Sequence, residues 1–219
     1  AVAFRPPVDL RERAWYNPAL LSRIFNVPAV IGSIMLLISL LLTALAVVRE
    51  REIGTLEQLM VSPVTPTELI VGKTLPFAVI ALFDMGLITT IALLWFKVPF
   101  TGNFALLLLA AVLFLLSSLG LGLLISTISS TQQEAFLATF MFFMPTMLLS
   151  GFMFPVSSMP AVFQWLTLLN PLRHYLEIVR AVFLKAAGFQ ALWFQFTALF
   201  VMGTSVMIVA ASRFRKTVA

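Results

Sequence analysis

Val48-Arg49-Glu50-Arg51-Glu52-Ile53-Gly54-Thr55-Leu56-Glu57-Gln58-Leu59-Met60-Val61-Ser62-Pro63 is the densest cluster of charge in the chain, and it lies between two long apolar runs. On a helix, Ile53, Leu56, Leu59 and Met60 follow the spacing of one face, while Glu50, Arg51, Glu57 and Gln58 lie towards the other. Two readings fit: an amphipathic helix that rests on a membrane or docks into a partner, and a solvated loop whose charges keep it out of the bilayer. The flanking runs decide the fold class.

Hydrophobic residues make up 61% of the 219-residue chain and charged residues 11%. Soluble domains carry about 45–50% and about 25%. Crossing roughly 30 Å of hydrocarbon takes about 20 mostly apolar residues. Five runs qualify, near 27–48, 70–96, 104–128, 133–152 and 190–211. They are too long and too evenly apolar for barrel strands, which alternate over about ten residues. The expectation is an all-α integral membrane protein with five transmembrane helices. No cysteine is present, so neither a disulfide framework nor a cysteine-ligated metal site is available. The formal charge is +5, but the basic residues are scattered over loops, which points to anionic lipid headgroups rather than nucleic acid.

Residues 1–26 are polar, with Pro6, Pro7, Pro18 and the aromatic pair Trp15-Tyr16, as suits either a segment nearing the bilayer interface or a cut end. Pro28 suits the first turn of the span that follows. Thr65-Pro66-Thr67-Glu68 combines an N-cap, a proline at the first helical position and a glutamate three residues after the cap, so the next helix starts before the membrane does. Gly72-Lys73-Thr74 is no phosphate-binding loop, because position 67 is Thr where that motif needs Gly. Lys73 is expected to reach the interface with its long stem.

Asp84 falls mid-span, where a carboxylate is penalised by about 2.5–3.5 kcal/mol and should face protein or water. It is either a functional group or a packing hydrogen bond. Ser117-Ser118-Leu119-Gly120-Leu121-Gly122 lets another helix approach closely, and Thr131 to Glu134 forms a capping box. The Phe/Met-rich run that includes Phe140 and Met144 suits an adaptable apolar path or simple packing, and Pro145 should kink it. After Gly151-Phe152-Met153-Phe154-Pro155, a short apolar helix stops at Asn170-Pro171. A second helix then carries Arg173, His174, Glu177 and Arg180 along one side, with Gly188 able to end it. His174, the only histidine, lacks partners for a metal site.

The order of an apolar span, Glu-Arg-Glu-x-Gly-Thr-x-Glu-x-Leu (Glu50 to Leu59), Ser-Pro, and Gly72-Lys73 opening the next span resembles the permease subunit of type-2 ABC exporters. The likeness extends over nearly the whole chain and is nearest the multidrug-type branch. It implies that residues of about 50–62 form a coupling helix, with Glu50, Glu52, Gly54, Thr55, Glu57 and Leu59 engaging a cytoplasmic ABC ATPase. It also implies a re-entrant hairpin over about 153–188. That hairpin is entered through Gly151, Phe154 and Pro155, joined at Asn170, Pro171, Arg173 and His174, and gates the outer end of a path that Asp84, Phe140 and Met144 help to line. The domain division expected is 1–26, the end of an extracytoplasmic domain or connector, and 27–219, the transmembrane domain. An earlier span and a large extracytoplasmic domain would precede residue 1. ATP and magnesium would bind the partner ATPase and no cofactor this chain. A second permease subunit, an extracytoplasmic adaptor and membrane lipid complete the expected partners, and a bacterial inner membrane is the expected location.

Two other functions make different demands on the sequence. An intramembrane enzyme needs clustered nucleophiles, acids or metal ligands, whereas Asp84, Glu134, His174 and Glu177 are dispersed, with no GxSxG or HExxH. An ion-coupled secondary transporter calls for several midplane ionisable groups and internal repeats. Charge placement only leans towards a cytoplasmic 49–73: Arg49, Arg51, Lys73, Arg213, Arg215 and Lys216 stand against Lys97, Arg173, Arg180 and Lys185.

Overall fold

The first apolar run and the charged residues after it fold as one helix, α1 (Ser22–Ile53), in the computed structural model of the protein, which describes residues 22–54 and 66–218. Then come α2 (Pro66–Leu94), α3 (Phe104–Ile128), α4 (Gln132–Leu148), α5 (Ala161–Leu166), α6 (Pro171–Lys185) and α7 (Phe189–Val218). Short 3-10 turns occupy Val156–Ser158 and Thr167–Leu169, and no strand occurs among the described residues. Helices α1, α2, α3 and α7 are long and apolar enough to cross a membrane. Four candidate spans stand where five were expected.

The difference lies in α4. The run 133–152 was expected to cross, but α4 has 17 residues, which at 1.5 Å each is about 26 Å. Pro145 removes one ladder donor, and the chain then turns through Leu149 and Ser150 to Gly151 at φ +79, where a side chain would be strained. Other boundaries shift for local reasons. Helix α2 stops at Leu94 because the N–H groups of Trp95 and Phe96 both turn back to the Ile91 carbonyl and Lys97 adopts φ 50. Helix α6 ends not at Gly188 but at Ala186, which takes the left-handed cap position at φ 48. Pro28 lies inside α1 rather than in its first turn, because the helix begins at Ser22.

Helix α3 is central, packed between α1 and α7. The small-residue stripe finds its partners here. A Cβ on Gly120 would meet Val206 and Met207 of α7 at 3.0–3.3 Å, and one on Gly122 would meet Thr43 Cβ at 2.8 Å and the Leu40 carbonyl at 3.1 Å on α1. Gly203 of α7 faces Leu116 and Ser117 in return, both at 3.1 Å. Lipid tails are as apolar as leucine, so this close approach, with its dispersion and packing, does what water exclusion does in a soluble core.

Helix α6 is the other central element. Leu172, Tyr175, Leu176, Val179, Val182 and Phe183 are buried, and the Tyr175 ring stacks on Phe114 of α3 at 4.4 Å and 7°. The short helix before it stands in contrast, with Trp165 at 73% and Leu169 at 77% exposure.

Candidate functional site

Two polar clusters lie at the ends of the helices. The first is built by the last turn of α1. Glu50 forms an ion pair with Lys73 of α2, both partly buried. The Arg51 guanidinium donates to the carbonyl of Ser129, the residue that caps α3, at 3.0 Å. The Glu52 carboxylate accepts from the backbone N–H of Gln132 at 2.8 Å and from its side-chain amide at 2.6 Å, at the first residue of α4. Three successive side chains thus reach three helices, α2 two turns in, α3 at its end and α4 at its start.

The geometry follows from helix periodicity. Successive residues point about 100° apart, so a triplet of long side chains at a helix end reaches in three directions. The receiving turn is rigid: Thr131 Oγ1 accepts from the Glu134 N–H at 3.2 Å, and the Glu134 carboxylate accepts from the Ser130 N–H at 2.7 Å. The Thr131 bond is the expected cap, and the glutamate's return bond reaches one residue before it, to Ser130. Glu52 also faces the positive end of the α4 dipole, and lies beyond the apolar run that ends at Val48.

Of the expected coupling helix of about 50–62, only residues 50–54 are among the described residues. Glu50 to Ile53 continue α1, and the turn at Gly54, φ +80, closes with its N–H on the Arg51 carbonyl at 3.2 Å. Thr55, Glu57 and Leu59 lie outside the described residues. Lys73 pairs with Glu50.

The second cluster joins α4, α5, α6 and α7. Asn170 caps α6, its Oδ1 accepting from the Leu172 N–H at 3.0 Å, while its amide nitrogen donates to the Thr146 carbonyl of α4 at 2.7 Å. Arg173 donates to Glu177 Oε1 at 3.2 Å and to the Gln164 carbonyl at 3.3 Å, and also bonds the Thr167 hydroxyl. Glu177 Oε2 accepts from Gln195 of α7 at 3.1 Å. Arg180 donates to the Gly151 carbonyl at 3.0 Å, tying the entry turn to α6. His174 is buried, with Nε2 at 3.0 Å from the Leu168 carbonyl and its ring edge-on to Phe194. Gly151, Asn170, Pro171, Arg173 and His174 are therefore brought together, whereas Phe154 and Pro155 stay on the exposed rim.

The remaining site residues do not converge. Asp84 is half-buried on α2 and, among the described residues, makes no hydrogen bond or ion pair. Phe140 sits in a ring row with Phe136 and Phe143, and Met144 is exposed. Helices α2 and α4 each pack on α1 and not along one another, so Asp84 is not assembled with the other two. Among the described residues no group of three or more His, Cys, Asp or Glu could hold a metal ion. Sequence reasoning missed Lys73, Ser129, Gln132 and Gln195 as partners, and the double bond of Asn170. Only Asn170-Pro171, an N-cap followed by proline, carried a local signal.

Four apolar spans with polar clusters at the helix ends define a polytopic α-helical membrane protein. A family profile for ABC-2 type transporters matches residues 14–184, so the chain belongs to that family. It is similar to the probable multidrug ABC transporter permease YbhR of Escherichia coli (strain K12), 40% identical over 210 residues, 96% of this chain and 57% of the relative. The probable multidrug ABC transporter permease YbhS of the same organism is 37% identical over 94% of this chain and 54% of its own length. The inner membrane transport permease YhhJ is 33% identical over 97% of this chain and 57% of its own length. The chain thus spans little more than half the length of these relatives.

Proposed function

We propose that the chain is the membrane-spanning part of the permease subunit of an ATP-driven exporter, and that a separate cytoplasmic ATPase binds ATP and magnesium and drives it. Membership of the ABC-2 type transporter family carries this reading. The tie of Glu50, Arg51 and Glu52 to α2, α3 and α4 supports it, because a push on this end of α1 is delivered to three helices at once. Glu50, Glu52 and Gly54, with Thr55, Glu57 and Leu59 beyond the turn, form the coupling contact, on the cytoplasmic side of a bacterial inner membrane.

The segment 153–188 is the re-entrant outer gate. Helix α4 with the turn that follows it completes a fifth crossing. Two permease subunits enclose the path, to which Asp84, Phe140 and Met144 contribute. An extracytoplasmic adaptor receives the cargo, and lipid surrounds the spans. Apolar, Phe- and Met-rich spans favour a hydrophobic or amphiphilic compound such as a drug, in line with the names of the relatives.

The full-length permease, co-reconstituted with its ATPase into vesicles, is expected to move a fluorescent amphiphilic cation only with hydrolysable ATP. An ATPase variant unable to hydrolyse ATP should abolish movement. Transport that persists with that variant, driven by an ion gradient, would establish a secondary transporter and overturn the proposal.

A further inference from the structure

Helix α4 has little lateral support. Its buried residues are Ala135, Thr139, Phe143 and Thr146, and it packs chiefly along α1. Met141 is 81% exposed, and Leu137 and Met144 are exposed as well. Both ends, however, are held by side chains from remote parts of the chain. Glu52, 80 residues earlier, binds the backbone and side chain of Gln132 at the start. Asn170, 24 residues later, binds the Thr146 carbonyl near the end. The last carbonyls of a helix have no intrahelical donor, so Asn170 supplies one. The same amide starts α6 through Leu172.

We propose that α4 is a strut that carries displacement from the end of α1, through Glu52 and Gln132, to Asn170 and the start of α6. This makes Gln132 and Asn170 positioning residues of the outer gate, and it rests on the coupling function proposed above. A hydrogen-bonded helix about 26 Å long resists compression along its axis, and within the protomer its side packing is chiefly the one contact along α1. A cavity of ≈ 240 Å³ lies beside its far end, lined among others by Met141, Pro145, Leu166 and Asn170. Motion at Asn170 also takes the short helix along, because Arg173 and His174 grip the carbonyls of Gln164 and Leu168.

The opposite order of events, in which α1 moves α6 by direct side packing, is separable. The Glu52–Gln132 contact takes no part in α1–α6 packing, so cutting it spares that route.

The test uses the full-length permease assembled with its ATPase and carrying Leu169→Cys, an exposed position next to Asn170. Labelling by a membrane-impermeant maleimide is measured with and without vanadate-trapped nucleotide, beside transport and ATP hydrolysis. The strut predicts a nucleotide-dependent labelling rate in the parent. Gln132→Glu, which sets two carboxylates against each other, should abolish that dependence while ATP hydrolysis continues. Glu52→Gln with Gln132→Glu rebuilds the side-chain bond with donor and acceptor exchanged and should restore it. Asn170→Asp keeps the acceptor that caps α6 but loses the donor to Thr146, so it too should uncouple labelling from nucleotide.

Nucleotide-dependent labelling that survives both Gln132→Glu and Asn170→Asp overturns the strut. So does a double variant that assembles and hydrolyses ATP at the rate of the Glu52→Gln single variant, itself still nucleotide-responsive, yet fails to recover the response. A parent that transports with ATP but shows no labelling response overturns the strut alone. A parent without ATP-dependent transport overturns the coupling function and the strut together.

Discussion

Glu50, Arg51 and Glu52 show what one helix turn can organise. Each contact is ordinary, and their value lies in joining helices that are distant in sequence. The Glu50–Lys73 pair is partly buried, with side chains 34% and 14% exposed. Breaking it should therefore cost between the about 0–1 kcal/mol of a surface pair and the about 3–5 kcal/mol of a buried one. Lys73→Glu should lower the thermal midpoint of the purified permease, and adding Glu50→Lys should recover most of the loss. Gly102 gives a second expectation. A Cβ there would fall on the Val182 carbonyl and meet Val182 Cγ1 at 2.8 Å, beside the two bonds of 3.0 Å from Thr101 to the Phe183 carbonyl. Gly102→Ala should destabilise by about 1–3 kcal/mol, read as a downward shift in denaturant or thermal midpoint. At this scale the sequence was legible where partners are local. The Thr131–Glu134 box and the Arg173–Glu177 pair could be read because three or four residues separate their members. Glu52 with Gln132 could not, since no periodicity links positions 80 apart.

At the scale of elements, apolar run length predicted α1, α2, α3 and α7 to within a few residues, because lipid demands a continuous helix there. It did not mark where α4 stops, at Leu148 within an apolar run that continues to the turn at Gly151. Composition cannot tell an apolar turn from an apolar span. The small-residue stripe announced a close neighbour but not which one; Gly120 turns out to face α7 and Gly122 to face α1. Gly122→Val places its bulk against Thr43 and the Leu40 backbone, which have no flexible end to yield. It should push α1 from α3, lower thermal stability by an amount at the upper end of the about 1–3 kcal/mol overpacking range, and weaken coupling more than Gly72→Ala, which meets open space.

Across the whole molecule, one body of spans is held at both ends by polar clusters: the α1 triplet at one, the Asn170 to Arg180 group at the other. The fold class and the family were legible from composition and from the Glu50 to Leu59 motif. The mechanical link between the clusters was not, because it depends on which helix ends meet. Contact between the segment after α1 and the ATPase is what the exporter function requires. Gln58→Cys, introduced as a single thiol in the full-length permease, tests this by crosslinking to the co-expressed ATPase subunit with and without ATP. The account predicts a crosslink whose yield changes with nucleotide. No crosslink, together with labelling of that thiol from outside the cell, would invert the topology and contradict the exporter function.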